Sequence, residues 1–99
     1  FKPVPQLAAV IRHDDRRGDA VAIQGVAGGN ALLFYTHPPV YVLGDEADSR
    51  QVICGAKRVF VVTSKRRSPE DPTFGRERHV LATAANDVLY LYDGTPCFP

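Results

Sequence analysis

The side chains able to do chemistry are few and scattered. Three histidines are present, His13, His37 and His79. None stands in His-x-x-x-His spacing, and none pairs with a cysteine at metal-ligand distance, so no metal is expected. His13 and His79 read as solvated positions on helix faces. His37 is different, because Pro38 and Pro39 fix its backbone beside Tyr35. A general base there needs an oriented partner, which the sequence does not supply. Ser64 and Ser68 lack the strand-turn-helix setting of a nucleophile elbow. Cys54 stands in an apolar helical segment, where the thiolate is disfavoured and reactivity is low. Asp14 and Asp15 form a carboxylate pair, but Arg16 and Arg17 follow at once and cancel the charge. No catalytic residue is assigned.

Two stretches have a binding character. Lys65, Arg66 and Arg67, with Arg76 and Arg78 downstream, make the one basic cluster. Its expected place is the carboxyl end of a strand, where open α/β sheets bind ligands. Arg67 joins Tyr35 and His37 as the contact residues to test; charge balance by Glu70 and Asp71 in a solvated loop is the plainer account of the cluster. Gly25, Gly28 and Gly29 lie between a strand and a helix, where free amides cradle phosphate. The spacing is neither Gly-x-Gly-x-x-Gly nor a P-loop, and a tight turn explains the glycines equally well. No cofactor is expected.

Cys54 and Cys97 are the two cysteines. They lack zinc-site spacing. One bridge tying the C-terminal tail to the body, or a buried thiol at Cys54 and a separate one at Cys97, are both open readings.

These residues sit in a chain of one domain's length, residues 1–99. Its apolar content of 44% supports a folded core. The net charge is +1, with both signs interspersed, which argues against a nucleic-acid partner. There is no methionine, even at position 1, and the reading is a domain excised from a longer protein. No run reaches the 18 or more apolar residues of a membrane span.

The elements alternate. A first helix runs from Pro5 to about His13, with Leu7, Ala8, Val10 and Ile11 at helical spacing. Ala20 to Gln24 is a strand apolar on both faces. A short helix over Ala31 to Tyr35 is capped by Asn30 and ended by the Pro38–Pro39 corner. Val40 to Leu43 is a second, buried strand. A helix opens at Asp45 with acidic residues in its first turn and ends near Gly55. Val59 to Val62 is the third strand, a last helix covers Phe74 to Ala85 with Asn86 as its left-handed cap, and Val88 to Tyr92 is the fourth strand. Gaps of about a dozen residues or more demand crossovers rather than hairpins. The expected fold is therefore α/β: a small three-layer α/β/α sandwich around a mostly parallel, four-stranded, Rossmann-like sheet.

Read in order, the segments Gly18 to Ile23, Leu33 to Tyr35 and Pro39 to Leu43 resemble the C-terminal soluble domain of bacterial membrane glycosyltransferases. That family comprises the aminoarabinose-transferase and protein-mannosyltransferase-like enzymes, which use lipid-linked sugars. Its domains show a Gly-Asp-x-Val-x strand, a Phe-Tyr pair ending a short helix and a Pro-Val strand after it. Thr36, His37 and Pro38 stand where an arginine is common. The resemblance implies an extracytoplasmic domain that follows many transmembrane helices and packs on them, near a lipid-linked sugar and a lipid A or protein acceptor. It implies that catalytic acids lie in the membrane part, so this chain is non-catalytic. An oxidising compartment also suits a Cys54–Cys97 bridge. The rival readings are a free-standing α/β module binding a nucleotide or sugar phosphate, and a small hydrolase without a recognisable triad.

Overall fold

The computed structural model describes residues 3–14, 16–24, 39–43, 46–66, 73–94 and 97. Two helices and five strands occur among them. In chain order they are α1 (Pro3–Asp14), β1 (Asp19–Gln24), β2 (Val40–Val42), α2 (Glu46–Gly55), β3 (Arg58–Ser64), β4 (Glu77–Ala84) and β5 (Asp87–Asp93). The strands form one sheet in the order β2-β1-β3-β5-β4.

The sheet is mixed, which corrects the expected mostly parallel, four-stranded, Rossmann-like sandwich. β1 pairs in parallel with both β2 and β3. β5 then runs antiparallel between β3 and β4. The error lies between Phe74 and Ala85, where a strand stands in place of the expected helix. β4 and β5 are a hairpin closed by Ala85 and Asn86, so no crossover separates them. Primed hairpin turns need positive φ. Ala85 supplies it at 52°, and Asn86, the expected left-handed residue, does not.

A bulge explains why the segment reads as a helix. Val80 is opposite Tyr90 and Ala82 opposite Leu89, so Leu81 is an extra residue. One inserted residue reverses the in-out parity of a strand. Leu81, Ala82 and Ala84 belong to the core under α1 while Val80 is exposed, so the segment lacks the strict alternation that marks a strand in sequence.

The apolar alternation along β1, β3 and β5 builds two cores, one per sheet face. Val21, Ile23, Phe60, Val62, Leu89 and Leu91 pack under α1 through Leu7, Ala8 and Ile11. Ala22, Val59, Val61, Tyr90 and Tyr92 pack on the other face with Ile53 of α2. β1, covered on both faces, is buried along its whole length. β2 is not the buried strand expected: Tyr41 and Val42 are 45% and 67% exposed at the sheet edge. No helix among the described residues is long and apolar enough to cross a membrane.

Candidate functional site

Both helices run against the direction of β1 and β3, so both helix C-termini lie at the start of those strands. Unpaired carbonyls and the negative end of the helix dipole gather there. Two buried arginines answer them, one on each face of the sheet.

Arg58, at the start of β3, serves α1. Its Nη2 donates to the Asp14 carbonyl at 2.6 Å and to Asp19 Oδ2 at 2.7 Å, and its Nε donates to Asp19 Oδ1 at 3.1 Å. Asp14 Oδ2 adds a longer contact to Nη1 at 3.4 Å. Asp19 Oδ2 also accepts from the Arg16 amide at 2.8 Å. The hydrogen bond to Asp19 is the chief reason the Arg58 pKa is raised above its usual value, against the opposing effect of burial. Asp19 opens β1 directly after Gly18, whose φ of +92° turns the chain from α1 into the strand.

Arg76 serves α2. Its Nη1 donates to the carbonyls of Ile53 and Ala56, each at 2.7 Å. Its Nη2 donates to Lys57 and, at 3.3 Å, to Gly94. One guanidinium thus ties the end of α2 to the end of β5. Its Nε is buried without a partner, and burial lowers the Arg76 pKa, partly offset by the charge of Asp93. The same two segments are joined covalently: Cys54 and Cys97 form a disulfide, with S–S 2.02 Å and Cα–Cα 5.2 Å.

The basic cluster of the sequence does not assemble. Register places Lys65 and Arg66 past the end of β3, whereas Arg76 lies beside its beginning. Arg76 is committed to carbonyls, and the Arg78 guanidinium lies 4.4 Å from the centre of the Tyr90 ring. His13 is exposed on α1 as expected. His79 is exposed too, but on β4 and 3.5 Å from Glu77. Asp14 contacts both Arg16 and Arg58. Tyr35, His37, Arg67 and the Gly25–Gly29 loop lie outside the described residues. The residues that the sequence did not single out as partners are Asp19 and Arg58. Their signal was two opposite charges, each opening an apolar strand, separated by 39 positions.

A cavity of about 510 Å³ opens between α2 and the β2 edge of the sheet. Ala20, Gly55 and Ala56 give it a small-residue floor, and Tyr41, Val42, Gln51 and Val52 also line it. Among the described residues that line it, the tyrosine is the one ionisable group. Among the described residues, no group of three or more acidic, histidine or cysteine side chains is placed to hold a metal. The arrangement can bind a neutral or apolar group by contact; it offers no nucleophile with an oriented base.

Comparison with protein-family models, with curated proteins and with solved structures finds no match in any of the three.

Proposed function

We propose that this chain is an extracytoplasmic accessory domain of a polytopic membrane glycosyltransferase that uses a lipid-linked sugar donor, and that the chain itself is non-catalytic. The observation that carries the extracytoplasmic part is the Cys54–Cys97 disulfide. Such bonds persist in oxidising compartments and are rare in the cytosol. The glycosyltransferase part rests on the resemblance of Gly18 to Ile23 and Pro39 to Leu43. Those segments are the turn and strand β1 and the paired edge strand β2. In this reading the domain packs against the transmembrane portion of its own chain and shapes access for the sugar donor or for a lipid or protein acceptor.

The test is the parent protein. Its coding sequence should encode several apolar spans of about 20 residues ahead of this domain. Membranes carrying the parent should transfer sugar from a lipid-linked donor, and the 99-residue chain alone should not. A parent without such spans, or sugar transfer by this chain alone, overturns the reading.

A further inference from the structure

β5 ends on the one Asp-Gly step in the sequence, Asp93–Gly94. The Gly94 amide donates to Asp93 Oδ1 at 2.7 Å. The carboxyl group is therefore folded back onto the amide nitrogen that follows it. The nitrogen of one residue and the Cγ of the aspartate before it are the two atoms that join when a succinimide ring closes.

Three features of this junction favour the closure. Gly94 has no Cβ to crowd the approach of its nitrogen, and its φ of +82° is a conformation that glycine adopts freely. Asp93 sits where the sheet runs out: the pairing with β3 ends at Tyr92, and Asp93 pairs with Glu77, the first residue of β4. Strand ends open at small free-energy cost, which lets the Asp93 backbone rotate the nitrogen over Cγ. Gly94 is exposed and Asp93 half-buried, so water reaches the ring once it forms.

The other aspartates whose side chains are described lack this arrangement. Asp19 is buried, with both carboxylate oxygens bonded to Arg58. Asp14 contacts Arg16 and Arg58. Asp87 is followed by Val88, a buried strand residue whose branched side chain crowds the nitrogen.

We propose that Asp93–Gly94 is a self-modification site, at which the folded chain closes a succinimide and opens it to isoaspartate. In the first step the Gly94 nitrogen bonds to Asp93 Cγ, and the amide proton and the carboxyl OH leave as one water. In the second step water adds back to either ring carbonyl. Addition at Cγ restores aspartate. Addition at the former main-chain carbonyl leaves the chain running through the side chain, one methylene longer. No oxidant or reductant enters. The added methylene falls directly before Gly94, whose carbonyl accepts from Arg76 Nη2 at 3.3 Å, and ahead of the Cys97 tie to α2. The proposal does not depend on the glycosyltransferase reading.

The test is incubation of the oxidised 99-residue chain without denaturant, at physiological temperature and mildly alkaline pH. An unfolded synthetic peptide spanning Val88–Cys97 is incubated beside it. After reduction, trypsin releases His79–Pro99, which carries Asp87 and Asp93 together. Chromatography with mass spectrometry should show a form lighter by one water, then isoaspartate at residue 93. The isoaspartate should accumulate in the folded chain at a rate within about tenfold of the peptide's, and well ahead of any at Asp87. Asp93→Glu, whose longer side chain needs a larger ring, should remove both products while the melting curve stays unchanged. A folded chain slower than that limit means that the fold protects the pair, and overturns the proposal. So does isomerisation at Asp87 to the same extent, or a peptide lighter by one water that persists after Asp93→Glu.

Discussion

Removing the disulfide should cost a large but survivable share of the stability. Cys54 and Cys97 are separated by 43 positions. Closing a loop of that length restricts the unfolded chain by about 4 kcal/mol at 25 °C in the chain-entropy treatment. A domain of this size has a total of roughly 5–15 kcal/mol. The bond alone therefore accounts for a quarter or more of the whole. Arg76 acts on the same two segments by a different route, through the carbonyls of Ile53, Ala56, Lys57 and Gly94. The end of α2 should stay docked without the covalent tie. The assay is urea unfolding of the Cys54→Ala/Cys97→Ala chain against the oxidised chain, followed by circular dichroism. The expected loss is about 3–4 kcal/mol, with a Tm drop of roughly 15–30 °C and the folded spectrum retained at 25 °C. A loss below about 1 kcal/mol would refute the loop-entropy argument. A chain already unfolded in water would refute the idea that Arg76 holds the junction by itself.

Arg58→Met should destabilise the chain by about 3–5 kcal/mol, because it leaves Asp19 buried without its counter-ion; Asp19→Leu/Arg58→Met should regain most of that in the same urea measurement. Arg76→Lys should cost about 2–3 kcal/mol, since an ammonium cannot span the carbonyls that the guanidinium joins, and faster hydrogen exchange at the end of α2 should accompany it. Ala85→Gly should raise stability by about 0.5–1 kcal/mol, because the turn holds Ala85 at a φ of 52°. Asp87 has its pKa raised by burial, with Lys65 opposing. A carboxyl whose folded pKa exceeds its unfolded value costs stability once ionised, so its contribution falls as pH rises through that interval. Asp87→Asn should therefore stabilise the chain at pH 7, and the difference should shrink as the pH drops into the carboxylate range.

The sequence shows an element where one physical signal dominates it. β1, β3 and β5 are legible because each is a continuous apolar run, and such runs occur when both faces of a strand are covered. α1 is legible from Leu7, Ala8 and Ile11, which face a single core. β4 is not, because the bulge at Leu81 breaks the alternation by which a strand is read. That one substitution of element type changes the whole topology. With a helix between β3 and β5 the sheet must be parallel, whereas with a hairpin partner β5 must run the other way. Val40 to Leu43 reads as buried from its apolar composition, but burial depends on strand order, and four apolar residues do not reveal that, among the described strands, theirs is at an edge. The sequence does not single out Arg58, and Arg76 reads as a member of the basic cluster. Their partners are backbone carbonyls and a distant carboxylate, which sequence spacing does not encode. The disulfide stayed open for a related reason: pairing depends on where the tail returns after β5.

The polarity of the helices links these observations. α1 and α2 both deliver the chain to the start of a strand, so both bring their negative ends to one end of the sheet. Lone carbonyls buried there would each cost about 1–3 kcal/mol. A water-filled end would satisfy them but would open both cores. A planar cation with several donors satisfies several carbonyls at once and stays charged when buried. Arg58 is paired with Asp19 and also lies over the aromatic ring of Phe60, 5.3 Å from its centre, a second contact that favours the cation. Arg76 has no ion-pair partner among the described residues and leans on four carbonyls, and its pKa moves down where that of Arg58 moves up. The two arginines are thus not equivalent. Exchanging lysine for each should separate them: Arg58→Lys keeps an ion pair with Asp19 and should be the milder change. Arg76→Lys loses its shared carbonyls with no ion-pair partner among the described residues to hold the ammonium, and should be the more damaging. The opposite order would mean that the ion pair, and not the relief of the helix ends, dominates this end of the fold.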